Sequence, residues 1–384
     1  MSTSETKCKI CEIGRLEPIK AYAELPRVTS DCKPWPAGGA MCWCADCGAV
    51  QKLADEKWFD EIDRIYKAYQ IYNLSDGSEQ VIFSDAGVAT PRSQKLVDFV
   101  LTNAASKPTG QLIDIGCGNG SALMNFSSAL PTWKLYGSEL SDKAKSNLQR
   151  LPNFGELYTG PVDDIQQRFD VVTMIHSLEH MPDPLVSLRE ASRLLKEGGT
   201  LFVEIPNVVT SLFDLLVADH LVHFSPAHLG YLASRAGFST SILRDDVLPK
   251  EITLVARRDV GSTLGRPDPA LTRALAEANV AWLGRVIGEA RRSSGEADKF
   301  GIFGTSISGM WLYGALGDRV SFFVDEDATR VGKSFEGIPI LAPHQVPAGH
   351  TVFIPLLPDV AKRVAARHAG SAVNYVEPPA YMAS

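Results

Sequence analysis

The sequence has no run of eighteen apolar residues, about the least that crosses a bilayer as one helix, so a membrane-spanning protein is not expected. Its first residues, MSTSETKCKICE, hold no apolar leader core, and a cytoplasmic protein is expected. Basic charge is in deficit: 38 Lys and Arg stand against 45 Asp and Glu, for a net charge of −7. A general nucleic-acid binder normally shows a basic field, which this chain lacks. A small anionic substrate held by a local cluster fits that balance. Histidine does not occur before residue 176, and cysteine occurs only once, as Cys117, after residue 47. There is no internal repeat and no low-complexity tract.

What is present is a globular composition, 45% apolar and 22% charged. A chain of 384 residues exceeds one ordinary core and predicts two or three domains. Residues 1–70 carry six cysteines, many Pro and Gly, and little hydrophobic period, too irregular to fold on core burial alone. Residues 71–259 alternate between strand and helix patterns. QLIDIG, KLYGSEL, FDVVTMI and GGTLFVEIP read as buried strands. PRSQKLVDFVLTNAA and PLVSLREASRLLKE read as amphipathic helices, with Gly198-Gly199 closing the second. That alternation predicts a mainly parallel sheet with helices on both faces. VGSTLGRPDP, 260–269, is a Gly/Pro-rich connection into residues 260–384. There a long helix, ALTRALAEANVAWLGRVIGEARR, precedes a second, smaller α/β unit.

Cys8-x2-Cys11 and Cys44-x2-Cys47 are a CxxC pair separated by 32 residues. Each CxxC turn aims two thiolates at one point, and two turns complete a tetrahedral zinc site. With no histidine nearby, all four ligands should be cysteines, with Cys42 or Cys32 as substitutes for one of them. In a reducing cytosol such clustering favours metal over disulfides. Residues 1–70 hold ten Lys and Arg against eleven Asp and Glu, so a nucleic-acid-binding finger has no basic face here. The zinc is expected to be structural.

LIDIGCGNGSAL, 112–123, is a strand entering a Gly-rich turn and then a helix. Gly116, Gly118 and Gly120 let a ligand approach the backbone at the helix N-terminus. The spacing is G-x-G-x-G, not the G-x-G-x-x-G of a dinucleotide fingerprint. With Asp114 ahead of the turn, this resembles motif I of class I S-adenosylmethionine-dependent methyltransferases. The resemblance implies an acid after the next strand to accept both ribose hydroxyls, which is Glu139. It also assigns the adenine contact to TGPVDD, 159–164, where Pro161 stands at the usual acid and Val162 and Asp163 are the candidates. FDVVTMIHSLEHMPDP matches the fourth strand and the loop after it.

HSLEH, 176–180, also satisfies H-x-x-E-H, a zinc-peptidase pattern. That reading needs a continuous helix, which the preceding strand and Pro182 and Pro184 oppose. Histidines 176, 180, 220, 223 and 228 crowd into 53 residues, where an even spread of eight would place about one. They follow strands whose carboxyl ends carry the ligands in such sheets. Methyl transfer needs a nucleophile aligned and a proton removed, and histidine does both near neutral pH.

Nearly the whole chain resembles the zinc-containing sugar C-methyltransferases, which methylate C-3 of nucleotide-linked 4-keto-6-deoxysugars. CADCGAVQ is similar to the end of their zinc module, YQIYNLSDGS to their tyrosine-bearing linker, and FGTSISG with VDEDATRVGKSFEGIPIL to their C-terminal domain. The resemblance implies a zinc module at 1–70, a methyltransferase domain at 71–259 and an α/β domain at 260–384 that contributes to nucleotide-sugar binding. It makes His220 the base that removes the proton alpha to the ketone, with Asp219 in place of the family's Glu. His180 matches a further active-site histidine, and Tyr72 or Tyr69 brings a phenol. His176 is a candidate for both cofactor and acceptor contact. Val217 replaces a tyrosine that binds the keto oxygen, so His223, His176 or Tyr72 would have to donate to the enolate. Ser308 replaces a lysine of the C-terminal Gly-rich turn. These departures point to a different sugar or a different acceptor atom. HFSP followed by LASRAGF also suits simple O-methyltransferases, and a non-catalytic subunit that binds the cofactor or a nucleotide sugar is a further alternative.

Overall fold

A computed structural model describes residues 7–69, 81–83, 89–105, 107–259, 261 and 263–381. At its centre is a seven-stranded sheet in the order Phe154–Tyr158, Lys134–Ser138, Gln111–Ile115, Phe169–Ile175, Leu195–Pro206, Glu251–Arg258, Phe238–Arg244. Only Glu251–Arg258 runs antiparallel to both of its neighbours. Strands buried on both faces read as continuous apolar runs, which is why QLIDIG and FDVVTMI were legible. Helix Pro184–Leu194 starts with Asp183 accepting from the Val186 N–H and Pro184 in its first turn, and buries Leu185, Leu188, Ala191 and Leu194. It does not run to Gly198-Gly199 as expected. Leu195 turns extended and fully buried, so the chain enters the next strand at once, and Gly198, with φ +70°, shapes that strand's irregular start.

The C-terminal unit is a six-stranded sheet centred on Phe322–Val324, Phe300–Phe303 and Thr351–Phe353, behind helix Pro269–Glu296. The first segment builds no separate core. Tyr22, Leu25, Val28, Trp43 and Val50 pack in one cluster with Leu212–Leu216, the long helix and the C-terminal strands. Its strands Leu16–Pro18, Met41–Cys44 and Val50–Lys52 also pair onward with Val222–His223, inside ADHLVHFS. The cysteine module and the histidine-rich stretch therefore share one sheet. Among the described residues no helix is long and apolar enough to cross a membrane.

Arg27 ties this segment to helix Glu56–Lys67 through a bidentate pair with Glu61, at 2.7 and 2.9 Å. Arg27 is 1% exposed. Glu61→Ala would strand a buried guanidinium, and is expected to cost about 3–5 kcal/mol. Thermal or urea unfolding reads this directly; an unchanged midpoint would mean that water replaces the carboxylate.

Candidate active site

The strand ends on one edge of the large sheet carry the cofactor candidates. Gly116, Gly118 and Gly120 all have positive φ. A Cβ on Gly116 would meet the Ser177 Cβ at 2.5 Å, so glycine is what lets this loop pass under 176–180. Asp114 is buried, accepts from Thr173 Oγ1 at 2.6 Å, and is pushed up to about 7 by that burial. Glu139 leaves the neighbouring strand and accepts from the Gly118 N–H at 2.8 Å and the Leu140 N–H at 2.7 Å. Next to them Ile115, Val162, Asp163 and Met181 line a cleft of about 270 Å³. Asp114, the three glycines, Glu139, Val162 and Asp163 thus stand along one sheet edge.

The histidines divide into different environments. His220 Nδ1 lies 2.7 Å from Asp214 Oδ1, and no partner of its Nε2 occurs among the described residues. Burial alone would lower the His220 pKa; the Asp214 carboxylate outweighs it, and the pKa is raised above 6.5. Asp214 sits in the short turn Leu212–Leu216 and also meets His223 Nδ1 at 2.6 Å through Oδ2. Burial opposes its charge, but the His223 and His220 rings hold it well below the usual carboxylate range. His180 stands edge-on to His220, with ring centroids 4.6 Å apart. Its Nδ1 is 3.0 Å from the Asp219 carbonyl and 3.1 Å from Tyr66 Oη.

Asp219 does not pair with His220, although the two are adjacent. Its carboxylate accepts from the Ser30 N–H at 2.8 Å and the Ser30 hydroxyl at 2.5 Å, and lies 3.4 Å from His180 Nδ1. Adjacent side chains diverge, so one residue serves the linker side and the other the pocket. The ring nitrogens of His223 are both engaged, by Asp214 and by Lys52 Nζ at 3.0 Å. His176 has φ +50° and is bonded to Arg92 and, at 3.1 Å, to Glu251. His228 Nε2 accepts nothing from the pocket; it lies 2.7 Å from the Cys47 carbonyl and braces the cysteine module. Val217 is buried and gives its carbonyl to Lys52, and Ser308 is buried in the first turn of helix Ile307–Leu316. Tyr72 lies outside the described residues. Tyr69 Oη lies 2.9 Å from the Ser30 hydroxyl.

Sequence reasoning missed Asp214, Lys52, Tyr66 and Glu179. Glu179 is 1% exposed; its Oε1 lies 3.3 Å from His176 Nδ1, and neither carboxylate oxygen makes a hydrogen bond among the described residues. Burial pushes it up to about 7. An acid six residues before His220 was visible, but nothing local told Asp214 from Asp219. HSLEH carries a short 3-10 turn, Leu178–His180, so the helix a zinc peptidase needs is absent there.

Cys8, Cys11, Cys44 and Cys47 are buried, with their sulfurs converging within 4.8 Å of one another. Cys8–Cys47 and Cys11–Cys44 sulfurs are 3.6 Å apart, close to the about 3.8 Å that four 2.3 Å zinc–sulfur bonds require. The N–H groups of Ile10 and Gly14 point at Cys8 and Cys11 sulfur, as thiolate charge demands. Cys42 and Cys32 stand outside the cluster. The donor set fits zinc.

The strand order, the glycine turn and the acid beyond the second strand define the class I methyltransferase α/β fold. Residues 89–241 match a family described as a methyltransferase domain. A ubiquinone biosynthesis O-methyltransferase of Xanthomonas campestris pv. campestris (strain B100) is 32% identical over 138 residues, 34% of this chain and 57% of that protein. An uncharacterized 37.1 kDa protein in transposon TN4556 of Streptomyces fradiae is 24% identical over 188 residues, 46% of this chain and 51% of its own. The chain thus spans about half the length of these curated relatives. Among solved structures, the CcbJ methyltransferase from Streptomyces caelestis aligns with 53% of this chain and 98% of its own, at 18% identity and TM-score 0.38.

Proposed function

We propose that the protein is an S-adenosylmethionine-dependent methyltransferase that methylates a carbon alpha to the ketone of a nucleotide-linked deoxysugar. The observation that carries this reading is the Asp214–His220 pair, in which Asp214 holds Nδ1 and Nε2 has no partner among the described residues. S-adenosylmethionine, when bound, supplies an electrophilic methyl group. Asp114, Gly116, Gly118, Gly120, Glu139, Val162 and Asp163 are the residues that would hold it. With Asp214 accepting from Nδ1–H, His220 takes the alpha proton on Nε2, and the resulting imidazolium is stabilised by the same carboxylate. The carbanion pair delocalises onto the ketone oxygen and needs a donor there. Both ring nitrogens of His223 are engaged, and His176 has Nε2 bonded to Arg92 and Glu251 and Nδ1 3.3 Å from Glu179 Oε1, so neither is that donor. His180 Nδ1 lies 3.0 Å from the Asp219 carbonyl, which only accepts, so the ring proton sits on Nδ1 and a neutral His180 has no Nε2–H to give. The Tyr66 hydroxyl, kept protonated by burial, is the donor left to fill the role.

A second cleft supports a nucleotide-linked substrate. It measures about 380 Å³ and is lined by Thr29, Trp35, Ile65, Tyr313 and Phe335, between the first segment and the C-terminal unit. Thr29 adjoins Ser30, whose hydroxyl reaches Asp219, so this cleft borders the site. Aromatic walls of that kind suit a planar base.

O-methylation is the second reading, favoured by the name of the Xanthomonas relative. The same dyad would then deprotonate a hydroxyl. Turnover with methyl-¹³C-labelled cofactor against nucleotide-linked 4-keto and reduced deoxysugars separates the two. A carbon-bound methyl with deuterium exchange at the alpha carbon is expected. An oxygen-bound methyl would transfer the reading to O-methylation, and no transfer to any sugar would overturn the substrate class.

A further inference from the structure

The lysine of GAVQKL is not a surface residue. Lys52 is 1% exposed, at the end of strand Val50–Lys52 in the cysteine module, with its Nζ 5.2 Å from the Tyr22 ring centre. Its three N–H donors have three acceptors: the Leu215 carbonyl at 3.2 Å, the Val217 carbonyl at 3.1 Å and His223 Nε2 at 3.0 Å. An ammonium has no lone pair, so it can only donate. His223 Nε2 must therefore accept, which puts that ring's proton on Nδ1. Nδ1–H donates to Asp214 Oδ2, and Oδ1 is left to accept from His220 Nδ1–H. The lone pair of His220 then lies on Nε2, which has no partner among the described residues. The Lys52 ammonium and the Asp214 carboxylate together order these proton positions, and by clamping carbonyls 215 and 217 Lys52 also holds the turn that carries Asp214.

We propose that Lys52 is a positioning residue for His220, acting through His223 and Asp214 from the cysteine module. Its link to catalysis rests on the reading of His220 as base; the proton positions themselves do not. Burial pushes Lys52 down to about 7, so this proton order holds below that pH, where burial together with the Lys52 charge pushes His223 down to about 4 and His223 stays a neutral link. A methionine, one atom shorter, would pack in the same channel without the desolvation cost of a charge. The other titratable groups facing His220 are Glu179, Asp219, His180 and His176, and Arg27, Glu61, Asp219 and Tyr22 face Lys52.

The test is long-range ¹H–¹⁵N correlation of the histidines in the full zinc-loaded chain, with and without Lys52→Met. In the unsubstituted protein, His223 should carry its proton on Nδ1 and remain neutral down to about pH 5. In Lys52→Met its titration should rise by about one pH unit or more, since the Asp214 carboxylate remains and the Lys52 charge is gone. Turnover should fall about tenfold with the apparent KM for S-adenosylmethionine little changed. An unshifted His223 in Lys52→Met would overturn the inference. Should that variant not fold, an Nε2–H tautomer of His223 in the unsubstituted chain would overturn it equally. If His220→Gln keeps full turnover while Lys52→Met still shifts His223, the base assignment fails and the proton order stands.

Discussion

His220→Gln is expected to lower methyl transfer by about 10²–10⁴-fold, with S-adenosylmethionine affinity near that of the unsubstituted protein. Glutamine keeps a polar side chain in the pocket but has no basic lone pair, while the glycine turn and Glu139 are untouched. Asp214→Asn should be nearly as damaging. An asparagine amide donates toward His220 Nδ1, which pushes the ring proton onto Nε2 and blocks the base. The pH dependence has a definite sign. A base works only when neutral, and His220 is raised above 6.5, so the acid limb of kcat/KM should lie above 6.5. Removing the Asp214 charge leaves burial as the dominant influence, and the limb should move down. Steady-state rates with isothermal titration of the cofactor read all of this. Near-normal turnover in His220→Gln, or an acid limb that moves up in Asp214→Asn, would remove this pair from the mechanism.

The second large effect is expected from the cysteine cluster. Cys44→Ser should lower bound zinc, solubility and turnover together, because the strand that carries Cys44 is central to the sheet that ends in Val222–His223. His228 on the neighbouring helix also holds the Cys47 carbonyl, so slackening the metal turns loosens both sides of the histidine stretch. Structural zinc contributes folding free energy outright in modules with little core of their own. Cys42→Ser is the matched control and should keep its zinc. Metal analysis beside turnover decides the matter: zinc retained in Cys44→Ser would mean another ligand set, and zinc lost with full turnover would mean the module does not support the site.

These expectations differ in how much the chain announces them. The glycine turn, Glu139 and the four cysteines are local or periodic signals. Three glycines must precede a helix to let the backbone approach a ligand, and two CxxC turns each point their sulfurs without help from distant chain. The alternation of buried strands and amphipathic helices is equally local, and it carried the seven-stranded sheet. The helix end misplaced at Gly198-Gly199 shows the limit of that reading, since burial of Leu195 outweighed the usual glycine stop.

Sequence alone therefore determined the sheet, the glycine turn with its acid, the four-cysteine cluster and the crowding of histidines beside the strand ends. Tertiary structure decided what those histidines bond to. It joined Lys52 to His223 across 171 residues, gave Asp214 rather than the adjacent Asp219 to His220, and turned His228 toward the cysteine module. The reason is physical: a buried charge is tolerable only with partners, and those partners come from whichever elements the fold packs against it.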